Sequence, residues 1–472
     1  MCQSAKRRKK VTAAEDRIDR ISNLPECVLH KILSYLPTKT VVQTSVLSSL
    51  WRYVWIGFPC LNFDELTGFD NGSGSAPRHR ATRFMRFVQK VMILHNTSIE
   101  KFKLNCTWGC NKDDLFLWIR AMVMRGVKEI EFSLQHPYIV GNFCWLPSSS
   151  FNFPGILFNC RTLVVLKLKF NGERLQLPAS IYFPNLKTMH LEKVLFKHGK
   201  LISKLFSNCP KLENLCLIKC AGSIALNILN PSLRYLTIDT LGGPNWRNFS
   251  KVKVSSKKLE SFLYRGQDVG NYCFDLSSSV VSASLELVSI SEKHEQPLHQ
   301  LLAAFHGVEV FKLSCSLIES LSSMQNSLYC LPIFHQLKHL SLSAIVYQGH
   351  LQVISFLLSH SPNLEVFVLE TSEVLCDDCE CLESANLPSD CIPENLKIII
   401  ELLHADLETQ IVLSQKLLML PRVSRSCVID LRSFLIFFFQ STFPELGMQV
   451  ATNKRKRIGG KVHKKQESEQ KD

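Results

Sequence analysis

The sequence predicts an α/β protein in two parts. A compact three-helix module comes first, over residues 21–64, followed by an irregular solenoid over residues 81–390 with parallel strands on one face and helices on the other. Three observations predict it. Apolar residues recur at helical spacing in Ile21–Trp55. A Leu-x-x-Leu-x-Leu pattern returns about ten times after residue 160. Helix-patterned segments such as Leu201–Phe206 and Val353–Leu358 precede several of those copies.

In the first stretch, Leu24, Val28, Leu29, Ile32, Leu33 and Leu36 recur at steps of one, three and four, which is helical spacing. Pro25 suits a first helical turn, where its missing N–H costs nothing, and Asn23 is placed to cap it. Pro37 stops the helix, Thr38 or Thr40 can begin the next, and Val41, Val42, Val46 and Leu47 give a second apolar face. Leu50, Trp51, Tyr53, Val54 and Trp55 follow at once. Chains below roughly 40 residues rarely hold a core alone, so a module this small should show its surplus apolar surface to a partner. An ordinary helical hairpin within a larger core is the competing reading.

This stretch resembles the F-box. Leu24-Pro25, Ile32-Leu33-Ser34-Tyr35-Leu36-Pro37, Thr38, Val46-Leu47-Ser48, Trp51-Arg52 and Trp55 match the family pattern in order. Where many members carry two basic residues between the Ser and the Trp, Ser49 and Leu50 stand here. The resemblance implies docking on a Skp-type adaptor and, through it, on a cullin scaffold. It implies adaptor contacts at Leu24, Pro25, Leu29, Ile32, Leu33, Leu36, Pro37, Val46, Leu47 and Trp51.

The chain has 472 residues, too many for a single core, and is 46% hydrophobic. No run of roughly 18 apolar residues suggests a membrane helix, and no apolar stretch follows the N-terminal charges as a secretory signal would require. The net charge of +14 sits largely in two tails: residues 1–20 carry +4 and residues 451–472 carry +5. Lys6–Lys10 (KRRKK) and Lys454–Arg457 (KRKR) fit nuclear-import runs or plain solvated tails, giving a nuclear and/or cytoplasmic expectation. No basic stripe interleaved with aromatics accompanies them, so a nucleic-acid partner is not expected. The 18 cysteines are scattered. The one cluster, Cys376, Cys379 and Cys381 with later Cys391, has poor ligand spacing and acidic neighbours, so no metal or other cofactor is expected.

Residues 65–80 read as a linker around Asp70–Pro77. Helical patterns over Ala81–Leu94 and Asp113–Met124 alternate with strand patterns at Ile99–Leu104 and Lys128–Leu134. The repeat copies begin at Leu163, Leu186, Leu212, Leu233, Leu337 and Leu364, with weaker ones at Leu259, Leu285 and Val308 and a last at Leu396. The first leucines stand 21 to 32 residues apart, overlapping the roughly 20–29 of leucine-rich repeats. Each unit leaves its apolar face open until the next unit stacks on it. An α/β domain with a parallel sheet is the competing architecture. The irregular lengths resemble the leucine-rich repeats found behind plant F-boxes, and residues 391–430 resemble a degenerate FBD region of the same family. The tail from 431 is basic from 454.

No Gly-rich phosphate loop, His-Glu-x-x-His or Gly-x-Ser-x-Gly is present, and the histidines are scattered. A non-catalytic role is therefore expected: the substrate-recognition subunit of a Skp–cullin–F-box ubiquitin ligase, or alternatively a scaffold without ligase function. Substrate contacts would come from outward strand residues Lys167, Lys187, His190, Tyr235, Lys338 and His339. With Lys169 and Arg234 these suggest a mildly basic face suited to an acidic partner peptide or a phosphate-bearing ligand.

Overall fold

The computed structural model describes residues 21–67, 69, 77–107, 110–135, 150–172, 174–222, 224–241, 249, 251–266, 272–276, 280–288, 295–323, 331–343, 348–371, 396–402 and 428–433. The two basic runs, the Cys376–Cys391 cluster and most of the FBD-like stretch lie outside the described residues. The chain divides into two compact units, 1–138 and 139–472.

The first unit opens with α1 (Glu26–Leu33), α2 (Thr38–Gln43), a 3-10 turn (Thr44–Val46) and α3 (Trp51–Val54). Pro25 and Pro37 occupy the N-cap positions of α1 and α2. The expected Asn23 cap is not formed: no side chain caps α1. Thr38 is buried instead, its Oγ1 accepting the Asn62 N–H at 2.6 Å. Then β1 (Cys60–Asp64), α4 (Pro77–Leu94), β2 (Lys101–Thr107), α5 (Lys112–Met124) and β3 (Glu129–Gln135) alternate. The strands pair in parallel, β1 with β2 and β2 with β3, placing Phe63 opposite Leu104 and Leu104 opposite Phe132. Phe84 and Val88 of α4 and Ile119 and Met122 of α5 are buried with them. Helix α5 begins at Asn111, whose side chain accepts the Asp113 N–H.

Part of the expected linker is built into this unit. Glu65 is fully buried because four donors satisfy it: Thr107 through its N–H and its hydroxyl, the Cys110 thiol, and Arg80. A buried carboxylate persists only when so partnered. Helix α4 also starts at Pro77, inside the stretch expected to be linker.

The second unit holds β4 (Ser150–Asn152), β5 (Val165–Lys169), β6 (Arg174–Gln176), β7 (Thr188–Glu192), α6 (Gly199–Ser207), β8 (Asn214–Ile218), β9 (Ala225–Leu229) and β10 (Tyr235–Asp239). It continues with β11 (Lys251–Ser256), β12 (Ser261–Gly266), β13 (Tyr272–Leu276), β14 (Ser282–Leu287), α7 (Glu295–Ala304), β15 (Val310–Leu313) and α8 (Cys315–Ser323). It closes with β16 (His339–Ser343), α9 (Gln348–Ser359), β17 (Val366–Thr371), β18 (Lys397–Leu402) and β19 (Val428–Ser433). A long parallel sheet runs β5-β7-β8-β10-β12-β14-β15-β16-β17-β18-β19.

Each Leu-x-x-Leu-x-Leu copy serves one strand of this sheet. The first leucine, as in Leu163, Leu186, Leu212 and Leu233, is buried at the turn before the strand. The next two apolar residues point inward and form columns: Leu166, Met189, Leu215, Leu236 and Phe262 in one, Leu168, Leu191, Leu217, Ile238 and Tyr264 in the other. Period-two alternation puts these on one face and polar residues on the other. The repeat read from Leu285 is displaced. Leu285 pairs with Tyr264 and belongs to the second column, while Val280 takes the opening position.

Helices were expected on the face opposite the strands, from helix-patterned segments before several of them. Helix α6 and helices α7 to α9 meet this, but β9, β11 and β13 form a second parallel sheet, and β4 pairs with β6. The reason is local. The sequences ALNIL and KVKVSS alternate with period two, burying Leu226, Ile228, Val252 and Val254 on one side. Phe274 of β13 meets Phe262 of the main sheet edge-on at 5.1 Å.

Candidate functional site: an exposed helical face and an open strand face

The three-helix module of the first unit is only half closed. Leu29, Leu33 and Trp51, expected on its contact face, are instead its interior, Leu33 at 1% exposure. Trp51 is fixed by its indole N–H donating to the Ser22 hydroxyl at 2.9 Å. These three hold the module together rather than offer surface. Leu24 and Leu36 are half-buried. Pro25, Ile32, Pro37, Val46 and Leu47 are exposed, Val46 at 85% and Leu47 at 67%.

Val28 and Ile32 lie one turn apart on α1, Tyr35 follows in the turn that ends it, and all three are exposed. Leu50 and Tyr53 add to the uncovered apolar surface. Val28, Tyr35, Leu50 and Tyr53 were absent from the expected contact set. The spacing of Tyr35 from Ile32 was the available signal, since i and i+3 share a helix face. Eight large apolar side chains are exposed within residues 21–53, a density that singly scattered ones do not reach.

The open face of the second unit's sheet carries the other predicted residues. Lys167 and His190 are neighbours in register, and His190 faces Cys216 on the next strand. Tyr235 opens β10, and Lys338 and His339 stand at the start of β16. Strands β12, β14 and β15 separate those two groups, so the six residues are not one cluster.

The basic face expected from the sequence is not there. Four of the five expected cations have a glutamate on the neighbouring strand. Lys169 pairs with Glu192 at 2.8 Å, Lys187 with Glu213 at 3.0 Å and Lys338 with Glu309 at 2.8 Å. Arg234 grips both oxygens of Glu260 at 2.8 and 2.9 Å, and the Tyr235 hydroxyl donates to the same carboxylate. These hydrogen bonds hold Glu260 below the usual carboxylate range and push Arg234 and Lys338 up. Glu370 is balanced differently. Burial pushes it up, but Lys312 at 2.7 Å, Ser343 at 2.9 Å and Ser341 hold it below its ordinary value. The glutamates were visible in the sequence. Their partnership needed the strand register, which puts residues some 25 positions apart side by side.

Neither surface offers evident catalytic chemistry. Among the described residues no group of three or more His, Cys, Asp or Glu could hold a metal ion. Burial pushes the Cys209 and Cys220 thiols up to about 12, so the nucleophilic thiolate is disfavoured there. Among the described residues no helix is long and apolar enough to cross a membrane.

Known proteins match the chain in both its helical module and its repeats. Residues 21–62 match the F-box domain model, and residues 115–284 match a model of the leucine-rich repeats of the FBD-associated F-box protein At5g56370. That protein of Arabidopsis thaliana is 30% identical over 82% of this chain and 83% of its own length. The putative FBD-associated F-box protein At3g50710 of the same plant is 31% identical over 78% of this chain and 79% of its own. The Arabidopsis F-box/LRR-repeat protein At4g14096 is 28% identical over 81% of this chain and 80% of its own.

Proposed function

Because the chain belongs to the F-box/leucine-rich-repeat family that includes the FBD-associated F-box proteins, we propose that it is the substrate-recruiting adaptor of a Skp–cullin–F-box ubiquitin ligase. The F-box docks on a Skp-type adaptor, which joins a cullin scaffold, and the open strand face holds the protein to be ubiquitinated. The role is non-catalytic. Such a subunit acts by proximity, holding a substrate lysine near a loaded conjugating enzyme at raised effective concentration.

The observation that supports this most is the uncovered apolar set Ile32, Tyr35, Val46, Leu47, Leu50 and Tyr53. Covering a large apolar side chain is worth about 1.5–3 kcal/mol, so the set supplies ample driving force for a protein partner. Pro25, Ile32, Pro37, Val46 and Leu47 are the proposed direct contacts, with Leu24 and Leu36 at their margin. The basic runs at Lys6–Lys10 and Lys454–Arg457 fit action in the nucleus as well as the cytoplasm.

The test is capture of a purified Skp-type adaptor by the full chain and by Val46→Asp and Leu47→Asp. Both positions are exposed, so the variants fold. Each should weaken capture by about thirtyfold, as loss of an interface hot spot does. No capture by the full chain ends the proposal and leaves a scaffold without a ligase, and equal capture by all three proteins ends the assignment of Val46 and Leu47 as contacts.

A further inference from the structure

The residues entering the strands of the second unit's sheet form a continuous row. Each donates its backbone N–H to the carbonyl of the one before: Glu213 to Lys187, Arg234 to Glu213, Glu260 to Arg234, Val281 to Glu260, Glu309 to Val281, Lys338 to Glu309 and Glu365 to Lys338. From Lys187 to Glu365 the side chains at these positions alternate in charge, positive then negative, with one interruption. Between Glu260 and Glu309, where alternation calls for a cation, stands Val281.

The gap is an open surface. Val281 is 44% exposed, and Val310, which enters the next strand, is 37% exposed. The two glutamates beside the gap are two strands apart, about 9.6 Å at the usual spacing of sheet strands. A cationic head group placed midway reaches both. Each already has one basic partner, Arg234 on one side and Lys338 on the other. A carboxylate has about four lone-pair sites, so each can still accept from a second donor. With Lys397, whose N–H donates to the Glu365 carbonyl, the row's four glutamates and four cations balance as a whole, so the gap is local: Glu260 and Glu309 flank Val281 with no cation between them in the row.

We infer that this gap is a docking position for one lysine or arginine of a partner polypeptide, its aliphatic stem lying on Val281 and Val310 and its head between Glu260 and Glu309. Long basic side chains lay their stems on apolar surface while the head stays with polar partners. The inference rests on the reading of this face as the substrate-binding one, and it gives the substrate a class: a segment with a basic residue beside apolar ones. An acidic peptide is disfavoured, because it would set a third carboxylate between the two already there.

The test uses the purified full chain and labelled ten-residue peptides in a Gly-Ser background with central Leu-Lys-Leu, Leu-Arg-Leu or Leu-Glu-Leu, read by fluorescence anisotropy. The Lys and Arg peptides should bind at least about tenfold more tightly than the Glu peptide. Val281→Lys supplies the missing cation from the chain itself and should erase that preference while leaving the melting temperature and adaptor capture unchanged. Val281→Ser, which leaves the charge gap open, should keep the preference. Equal or tighter binding of the Glu peptide, an undiminished preference in Val281→Lys, or no binding of any peptide up to about 1 mM overturns the inference. Loss of adaptor capture with an intact peptide preference instead sinks the ligase reading alone.

Discussion

His95, just after α4, donates its Nε2 hydrogen to the carbonyl of Phe58 at 2.8 Å, tying the end of that helix to the residues that follow the F-box helices. The ring is 1% exposed, and its Nδ1 is buried with no hydrogen-bond partner among the described residues. Burial holds the imidazole below its ordinary value, the bond to Phe58 works against that, and nearby Arg125 adds to it.

The folded first unit therefore favours neutral His95. With a depressed folded value, the unfolded chain takes up the proton first, so this contribution is complete above the ordinary value of 6.5 and declines as pH falls below it. The melting temperature should drop between about pH 7.5 and 5.5. His95→Gln, which keeps a donor near Phe58 but cannot titrate, should flatten the dependence. An unchanged slope in that variant would remove His95 as its source.

Leu33 and Leu47 should separate folding from docking. Leu33→Ala hollows the interior of the helical module and should cost about 2–5 kcal/mol in urea unfolding. Leu47→Ala changes an exposed side chain and should stay within about ±0.5 kcal/mol. Comparable losses at both positions would mean that Leu47 is covered by the chain itself.

In the second unit, Leu215 is fully buried between Met189 and Leu236 of the neighbouring strands. Leu215→Ala should cost about 2–5 kcal/mol. Because a repeat rests on its neighbours, amide hydrogen exchange should quicken most in β7, β8 and β10 and fade with distance. Uniform quickening across the whole unit would contradict a repeat-by-repeat core.

Glu370 links three strands, receiving Lys312 from β15 and Ser341 and Ser343 from β16. Its folded value is depressed, so its contribution is present above the ordinary 4.5 and is lost as pH falls through the folded value. Glu370→Gln should make the second unit less stable at pH 7 and make its acid unfolding less steep below about pH 4.5. The same acid profile in both proteins would show that the pair contributes nothing.

Much of this was legible before any coordinates. The helix spans Ala81–Leu94 and Asp113–Met124 emerge as α4 and α5, shifted by a few residues at their starts. The strong repeats emerge as strands whose leucines face inward. What went astray was relational. Leu285 reads from the sequence as opening a repeat, yet only pairing with Tyr264 shows it to be the second inward residue. Trp51 was read as contact surface, yet the bond to Ser22, twenty-nine residues earlier, turns it inward.

By itself the sequence determined the repeating period, the inward leucine columns and the identity of the helical module, because these depend on residues close together in the chain. The tertiary structure alone decided which apolar side chains of that module stay uncovered and which charges cancel. Burial and ion pairing depend on what stands beside a residue in space. Here that neighbour comes from a strand some twenty to thirty residues away, or in the case of Lys312 and Glu370, fifty-eight.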